Sequence, residues 1–224
     1  MTKRIVIAID GPAGSGKSTI ARGLADKLGF VYIDTGAMYR AVGLWAMRAG
    51  IDLGDMLKLE QLALASEIRL EPGGTRIFLN GEEVTEAIRA PEVSQAASKV
   101  SAIPGVRRAM VLQQRKMGEV SSIVMEGRDI GTVVFPEAQV KIFLDATPRV
   151  RAERRFREAG GYIEHVEKEM VERDTRDRTR AEAPLMQAPD AIYLDTSPMT
   201  PGEVEQAILK IIRDKTSNGK EVGK

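Results

Sequence analysis

The stretch Gly11-Pro12-Ala13-Gly14-Ser15-Gly16-Lys17-Ser18-Thr19 fits G-x-x-x-x-G-K-[ST] at every position. Glycines alone are a weak signal; the fixed lysine–serine pair makes the pattern specific for a nucleoside triphosphate. Small residues let the backbone N–H groups turn inward around an anion, and the helix that follows adds the partial positive charge of its N-terminus. Lys17 can then reach the β- and γ-phosphates, and the Ser18 hydroxyl can ligate Mg²⁺. The bland alternative is a turn that merely joins strand to helix. A regulatory GTPase would add N-K-x-D and a transport ATPase L-S-G-G-Q; the chain has neither. One phosphate loop in a short chain with many arginines in its second half favours a small-molecule kinase.

Further chemistry-bearing residues fall into clusters. "IDTGAMYR" offers Thr35, Tyr39 and Arg40 at the start of a helix, either as ligands or as a cap and a surface arginine. "SIVMEGRDIGTVVFP" ends a buried strand in Glu126 and then presents Arg128 and Asp129 at its carboxyl end, where open parallel sheets bind ligands. An acid in that place suits water-mediated contact with Mg²⁺; the Arg–Asp pair could instead be structural. In "ERDTRDRTR", at about 100° per residue, Arg173, Arg176, Asp177 and Arg180 share one helical face, with Asp174 and Arg178 opposite. That face is either a phosphate clamp whose aspartate accepts from a ribose hydroxyl or a solvated charged surface. Arg151, Arg154 and Arg155 precede Gly160-Gly161, as in a lid with a glycine hinge. Lys17, Arg128 and Arg154 are the expected catalytic groups, with Arg151 and Arg155 on ATP. His165, the single histidine, reads as a surface residue.

These residues need a scaffold. Five β-rich runs, Arg4–Ile9, Val31–Ile33, Ser122–Met125, Val140–Leu144 and Ile192–Leu194, alternate with helical patterns. Near-continuous apolar runs suit parallel strands buried on both faces. The expectation is an α/β fold, a five-stranded parallel sheet flanked by helices. Ile20, Leu24 and Leu28 mark one buried stripe, closed by Gly29. Thr200-Pro201-Gly202-Glu203 reads as a capping box ahead of a second stripe, Val204, Ile208 and Ile211. The middle breaks the rhythm: turn signals at Gly73-Gly74 and Asn80-Gly81 predict β-hairpins. Residues 60–105 are expected to form an inserted lobe, 150–166 a lid, and 216–224 a frayed tail.

Composition narrows the class. The chain has 224 residues, 43% hydrophobic and 29% charged, with a net charge of +1. Near-neutrality argues against a whole-surface polyanion binder, and 4% aromatics leave few stacking platforms for nucleic acid. The absence of cysteine excludes disulfides and thiolate chemistry, and one histidine excludes a histidine-cluster metal site. No run approaches the roughly 18 apolar residues of a membrane span. A cytoplasmic monomer, bound to neither nucleic acid nor membrane, is the expectation.

With "IDGPAGSGKST", "DTGAMYR", "EGRDIGTVVFP", "VKIFLDA" and "RDTRDRTRAEAPL" assembled, the chain resembles the bacterial cytidylate kinases, in the nucleoside monophosphate kinase group, over roughly residues 4–213. The inserted segment also looks like that family's enlarged monophosphate-binding region. The resemblance implies transfer of the γ-phosphoryl group of ATP to CMP or dCMP with Mg²⁺. It implies that Arg40, Arg128 and Arg180 hold the CMP phosphate, that Ser98, Arg107 and Asp129 read cytosine, and that Arg173 and Asp177 lie at the sugar. Thr35 stands where serine is also familiar, and Glu126 where related kinases often have aspartate. A kinase for UMP or another small acceptor, and a nucleotide-dependent binding protein without phosphotransfer, remain the alternatives.

Overall fold

The computed structural model describes residues 4–160 and 162–217. The chain opens with strand β1 (Val6–Asp10), the phosphate loop, helix α1 (Lys17–Leu28), β2 (Val31–Asp34) and α2 (Thr35–Arg48). There follow α3 (Met56–Ala65), three short strands β3 (Ile68–Leu70), β4 (Ile77–Leu79) and β5 (Glu82–Glu83), then α4 (Pro91–Val100) and α5 (Pro104–Gly118). The second half holds β6 (Ile123–Gly127), β7 (Val140–Asp145), α6 (Pro148–Ala159), α7 (Ile163–Thr179), β8 (Ile192–Asp195) and α8 (Pro201–Ser217).

Five strands pair in the order β2-β6-β1-β7-β8, all parallel. Ile7, Ala8 and Ile9 are wholly buried because β1 is central and covered on both faces. One face packs Ile7, Ile9 and Val124 against Ile20 and Leu24 of α1 and Val204 and Ile208 of α8. The other face packs Ala8, Ile33 and Met125 against Ile130 and Val134. Ile212, not Ile211, completes the buried stripe of α8, and Leu28 is only half-buried. The capping box is formed: Thr200 N–H donates to the Glu203 carboxylate at 2.8 Å.

The middle segment builds its own small sheet. β3, β4 and β5 are antiparallel, in the register Ile68↔Leu79 and Phe78↔Glu83. Asn80 and Gly81 make the second turn in the left-handed region. A separate apolar cluster, including Val42, Leu59, Leu79, Val100 and Met110, joins this sheet to α2, α3, α4 and α5. Residues 60 and 105 fall inside α3 and α5, so the expected bounds of the lobe cut two helices. At the other end, Gly160 closes α6, and Gly161 of the expected hinge lies outside the described residues. α8 continues through residues 216 and 217, which were expected in the tail; 218–224 lie outside the described residues.

Candidate active site

The carboxyl ends of β1, β2 and β6 open into a cleft with an empty volume of about 1030 Å³. The phosphate loop forms one side. Gly11 lies so close to β7 that a Cβ there would stand 1.9 Å from the Leu144 carbonyl oxygen, so no side chain fits. Gly16 caps α1, whose first residue is Lys17. Lys17 Nζ donates to the Pro12 carbonyl at 2.6 Å and to Ser15 Oγ at 3.3 Å, which folds it over the loop. Burial, reinforced by Arg128 and Arg173, lowers its pKa to about 7, against the opposing pull of Glu126.

Glu126, one residue before the end of β6, stands opposite Asp34 of β2. Its carboxylate is buried and accepts from Tyr32 Oη at 2.6 Å, with the Ser18 hydroxyl near enough to favour its charged form. Burial and the charge of Asp34 raise its pKa, so a nearby cation would relieve both. Two carboxylates and a hydroxyl are too few for an all-protein cage, and no cluster of three or more His, Cys, Asp or Glu is found among the described residues. The donor set fits Mg²⁺, which keeps its waters and takes phosphate oxygens as further ligands. Thr35 Oγ1 donates to the Glu126 carbonyl at 2.7 Å and so ties α2 to β6.

The opposite side of the cleft is a charge cluster. Seven basic side chains line the cleft (Lys17, Arg40, Arg107, Arg128, Arg155, Arg173, Arg180), with four acidic ones (Asp34, Glu126, Asp129, Asp177). Arg128 Nε donates to Asp177 at 3.0 Å, and Arg180 lies 3.8 Å from Asp177 and 3.6 Å from Asp129. Arg107 pairs with Asp129 and donates to the Ser101 carbonyl at 3.0 Å. Its guanidinium also stands 5.5 Å from the ring centre of Tyr39. Burial pushes the Tyr39 hydroxyl up to about 12. Burial works against the charge on Asp177, yet Arg128, Arg173 and Arg180 hold its carboxyl below the usual range. Arg173 is lowered to about 10 by burial and by its arginine neighbours.

Most residues singled out in the sequence therefore converge: Ala13, Gly14, Gly16, Lys17, Ser18 and Thr19 of the loop, Thr35, Tyr39 and Arg40, and the residues of the charge cluster. Several expected placements change. Arg154, expected among the reacting phosphates, is held by Thr196, its Nη1 donating to Oγ1 at 2.9 Å and its Nη2 to the carbonyl at 2.7 Å. Arg151 is buried away from the cleft, donating to the Ala13 and Ala146 carbonyls and pairing with Asp174 at 2.6 Å. Of Arg151, Arg154 and Arg155 on α6, Arg155 alone lines the cleft. Ser98 is buried beneath Arg176, which donates to its hydroxyl instead of joining the clamp. Arg180 sits at the extended cap of α7, not within the helix. His165 is exposed beside Glu169, as expected.

The sequence did not single out Asp10, Tyr32, Asp34 or Ser101. Asp10 accepts from the Ile130 and Gly131 N–H groups at 2.8 Å each, which anchors the turn after Asp129. Burial raises its pKa to about 6. Asp34 was legible as the cap residue ahead of Thr35, where it accepts from the Ala37 N–H at 2.9 Å. No helix among the described residues is long and apolar enough to cross a membrane.

The chain is similar to known proteins over nearly its whole length. The cytidylate kinase family model matches residues 7–214. A cytidylate kinase of Solibacter usitatus is 62% identical, covering 98% of this chain and 97% of its own. One from Pelotomaculum thermopropionicum is 51% identical over 96% of each. An uncharacterized protein from Eubacterium ventriosum, 14% identical, superposes with a TM-score of 0.54 over 93% of this chain and 98% of its own, a likeness of fold alone. A match of this length, on a chain whose phosphate loop and arginine cluster face one another across a single cleft, makes it a member of the cytidylate kinase family.

Proposed function

We propose that the cleft moves the γ-phosphoryl group of ATP to a phosphate oxygen of CMP or dCMP, giving ADP and CDP or dCDP. The observation that carries this reading is the opposition of a triphosphate loop to an arginine cluster with buried carboxylates. ATP lies along the loop, its phosphates met by the backbone N–H groups of residues 13–16 and by Lys17. The CMP phosphate lies among Arg40, Arg128 and Arg180. Asp129 and Arg107 meet the cytosine edge, and Asp177 and Arg173 the sugar. A carboxylate accepts from the 4-amino group of cytosine and repels the 4-carbonyl of uracil.

The acceptor is a phosphate monoester with a second pKa of about 6, so it is already nucleophilic at neutral pH. No general base is required. The difficulty is to hold two polyanions together, and Lys17 with the cleft arginines supplies the opposing charge. As the new P–O bond forms and the bond to the β-phosphate oxygen breaks, these groups stabilise charge on the transferring phosphoryl. Ser18 and Glu126 would hold Mg²⁺, which when bound supplies charge neutralisation between the β- and γ-phosphates. Arg155 on α6 closes over the donor and excludes water.

Phosphorus NMR of the protein with Mg-ATP and CMP tests the reading. ADP and CDP should appear together as ATP and CMP disappear in equal amounts. ATP consumption without CDP would identify a hydrolase, and tight ATP binding without turnover a binding protein.

A further inference from the structure

We propose that Tyr32 is a positioning residue for Glu126, holding its carboxylate at the Ser18 end of the phosphate loop, where the cation carried by the triphosphate would meet it. The inference rests on the reading of Ser18 and Glu126 as that cation's protein contacts. It adds a residue from another strand, 94 positions away, that keeps one of them aimed.

A glutamate has one more rotatable bond than an aspartate, so its carboxylate needs a partner to fix its direction. Tyr32 Oη donates to Glu126 Oε1 at 2.6 Å. Among the described residues this is the one hydrogen bond of that hydroxyl. The ring itself sits in the apolar cluster beneath α1, where a phenylalanine would pack as well, so the hydroxyl serves Glu126. Asp34, level with Glu126 on the neighbouring strand, repels its carboxylate, and the tyrosine opposes that drift.

Tyr32 is in turn clamped. Gly74, in the turn between β3 and β4, presses on it so closely that a Cβ would lie 2.3 Å from the ring. Arg22 of α1 stands 5.3 Å from the ring centre on another side. The ring therefore cannot swing away from Glu126 without moving the turn of the inserted segment. A hydrogen-bonding partner that orients a metal-binding side chain is expected to contribute at least tenfold to metal affinity.

The test is Mn²⁺ binding to the enzyme–ATP complex, followed by electron paramagnetic resonance, beside ATP affinity measured in excess EDTA. Tyr32→Phe should weaken Mn²⁺ binding by about tenfold while metal-free ATP affinity and the KM for CMP stay at wild-type values. Glu126→Asp draws the carboxylate out of reach of Tyr32, so adding Tyr32→Phe to it should change nothing further. Tyr32→Met, which also removes the hydroxyl, should weaken Mn²⁺ in the same direction and serves if Tyr32→Phe does not fold. Unchanged Mn²⁺ affinity in Tyr32→Phe, or an equal loss of metal-free ATP affinity, overturns the assignment of Tyr32. If Glu126→Gln binds Mn²⁺ as the wild type does, the cation reading fails and the proposal falls with it. If Glu126→Gln weakens Mn²⁺ and Tyr32→Phe does not, only the role of Tyr32 is lost.

Discussion

Asp177 lies beneath Arg128, Arg173 and Arg180, where its carboxylate offsets a cluster of like charges. From the sequence its helix face could have been solvated, and loss of the aspartate would then have cost little stability. The residue is instead 4% exposed, so Asp177→Asn leaves three guanidinium groups short of a counter-charge. The expected cost is about 3 kcal/mol at pH 7, within the range for breaking a buried pair. The pH dependence has a definite sign. The folded pKa lies below the unfolded value of 3.8, so the contribution is complete above that value and is lost as pH falls through the folded one. Urea unfolding of wild type and Asp177→Asn should show a gap at pH 7 that narrows as pH falls below 3.8; a constant gap contradicts the assignment. Lys17 carries a different load, because its ammonium already folds over the loop. Lys17→Ala should lower kcat by about a thousandfold, as for other charge-stabilising groups in phosphoryl transfer, with an unchanged circular dichroism spectrum. Near-normal turnover in the folded variant would remove Lys17 from the mechanism.

Helix α6 separates what residue type alone could not. Arg151, Arg154 and Arg155 have the same chemistry within five positions, and which of them reaches the cleft depends on how α6 docks against the loop and α7. Arg151 is spent on the Ala13 carbonyl and Asp174, Arg154 on Thr196, and Arg155 faces the cleft. Arg151→Ala should therefore lower the melting temperature and raise the KM for ATP through the loop. Arg155→Ala should lower kcat, because the cleft loses one of its positive charges. Calorimetric melting beside steady-state kinetics checks the pair, and the reverse pattern would exchange their roles. Elements that announce themselves locally were legible: the phosphate loop by spacing, the buried strands by apolar runs, α8 by its capping box, and the second hairpin turn by Asn80-Gly81. What escaped depends on distant packing. Nothing near Tyr32 in sequence shows that its hydroxyl meets Glu126, and nothing in a helical wheel shows Arg176 crossing to Ser98 on α4. Asp177 was placed on the right face, but its burial is set by the whole cleft.

In the proposed reading two polyanion sites face each other: the parallel sheet carries the donor loop, while α2, the turn after β6 and the end of α7 bring Arg40, Arg128 and Arg180 to the acceptor. If that division is right, the two substrates respond independently. Arg128→Ala and Arg180→Ala should raise the KM for CMP by about tenfold or more, the scale of a charged hydrogen bond, and leave that for ATP nearly unchanged; equal rises in both would exchange the sites. In the proposed reading base choice rests on Asp129, which Arg107 and Arg180 hold in place. A single polar discrimination of this kind is worth roughly 1–3 kcal/mol, or about ten- to a hundredfold and somewhat beyond, because the wrong base leaves buried groups unpaired. Asp129→Asn keeps the shape of the side chain and removes the charge that repels uracil. The most direct measurement is kcat/KM for CMP, dCMP, UMP and AMP with Mg-ATP, in wild type and in Asp129→Asn. The prediction is CMP and dCMP ahead of UMP by at least tenfold, AMP far behind, and a smaller CMP/UMP ratio in the variant. Equal turnover of CMP and UMP by the wild type, or no phosphoryl transfer to either, would contradict the account.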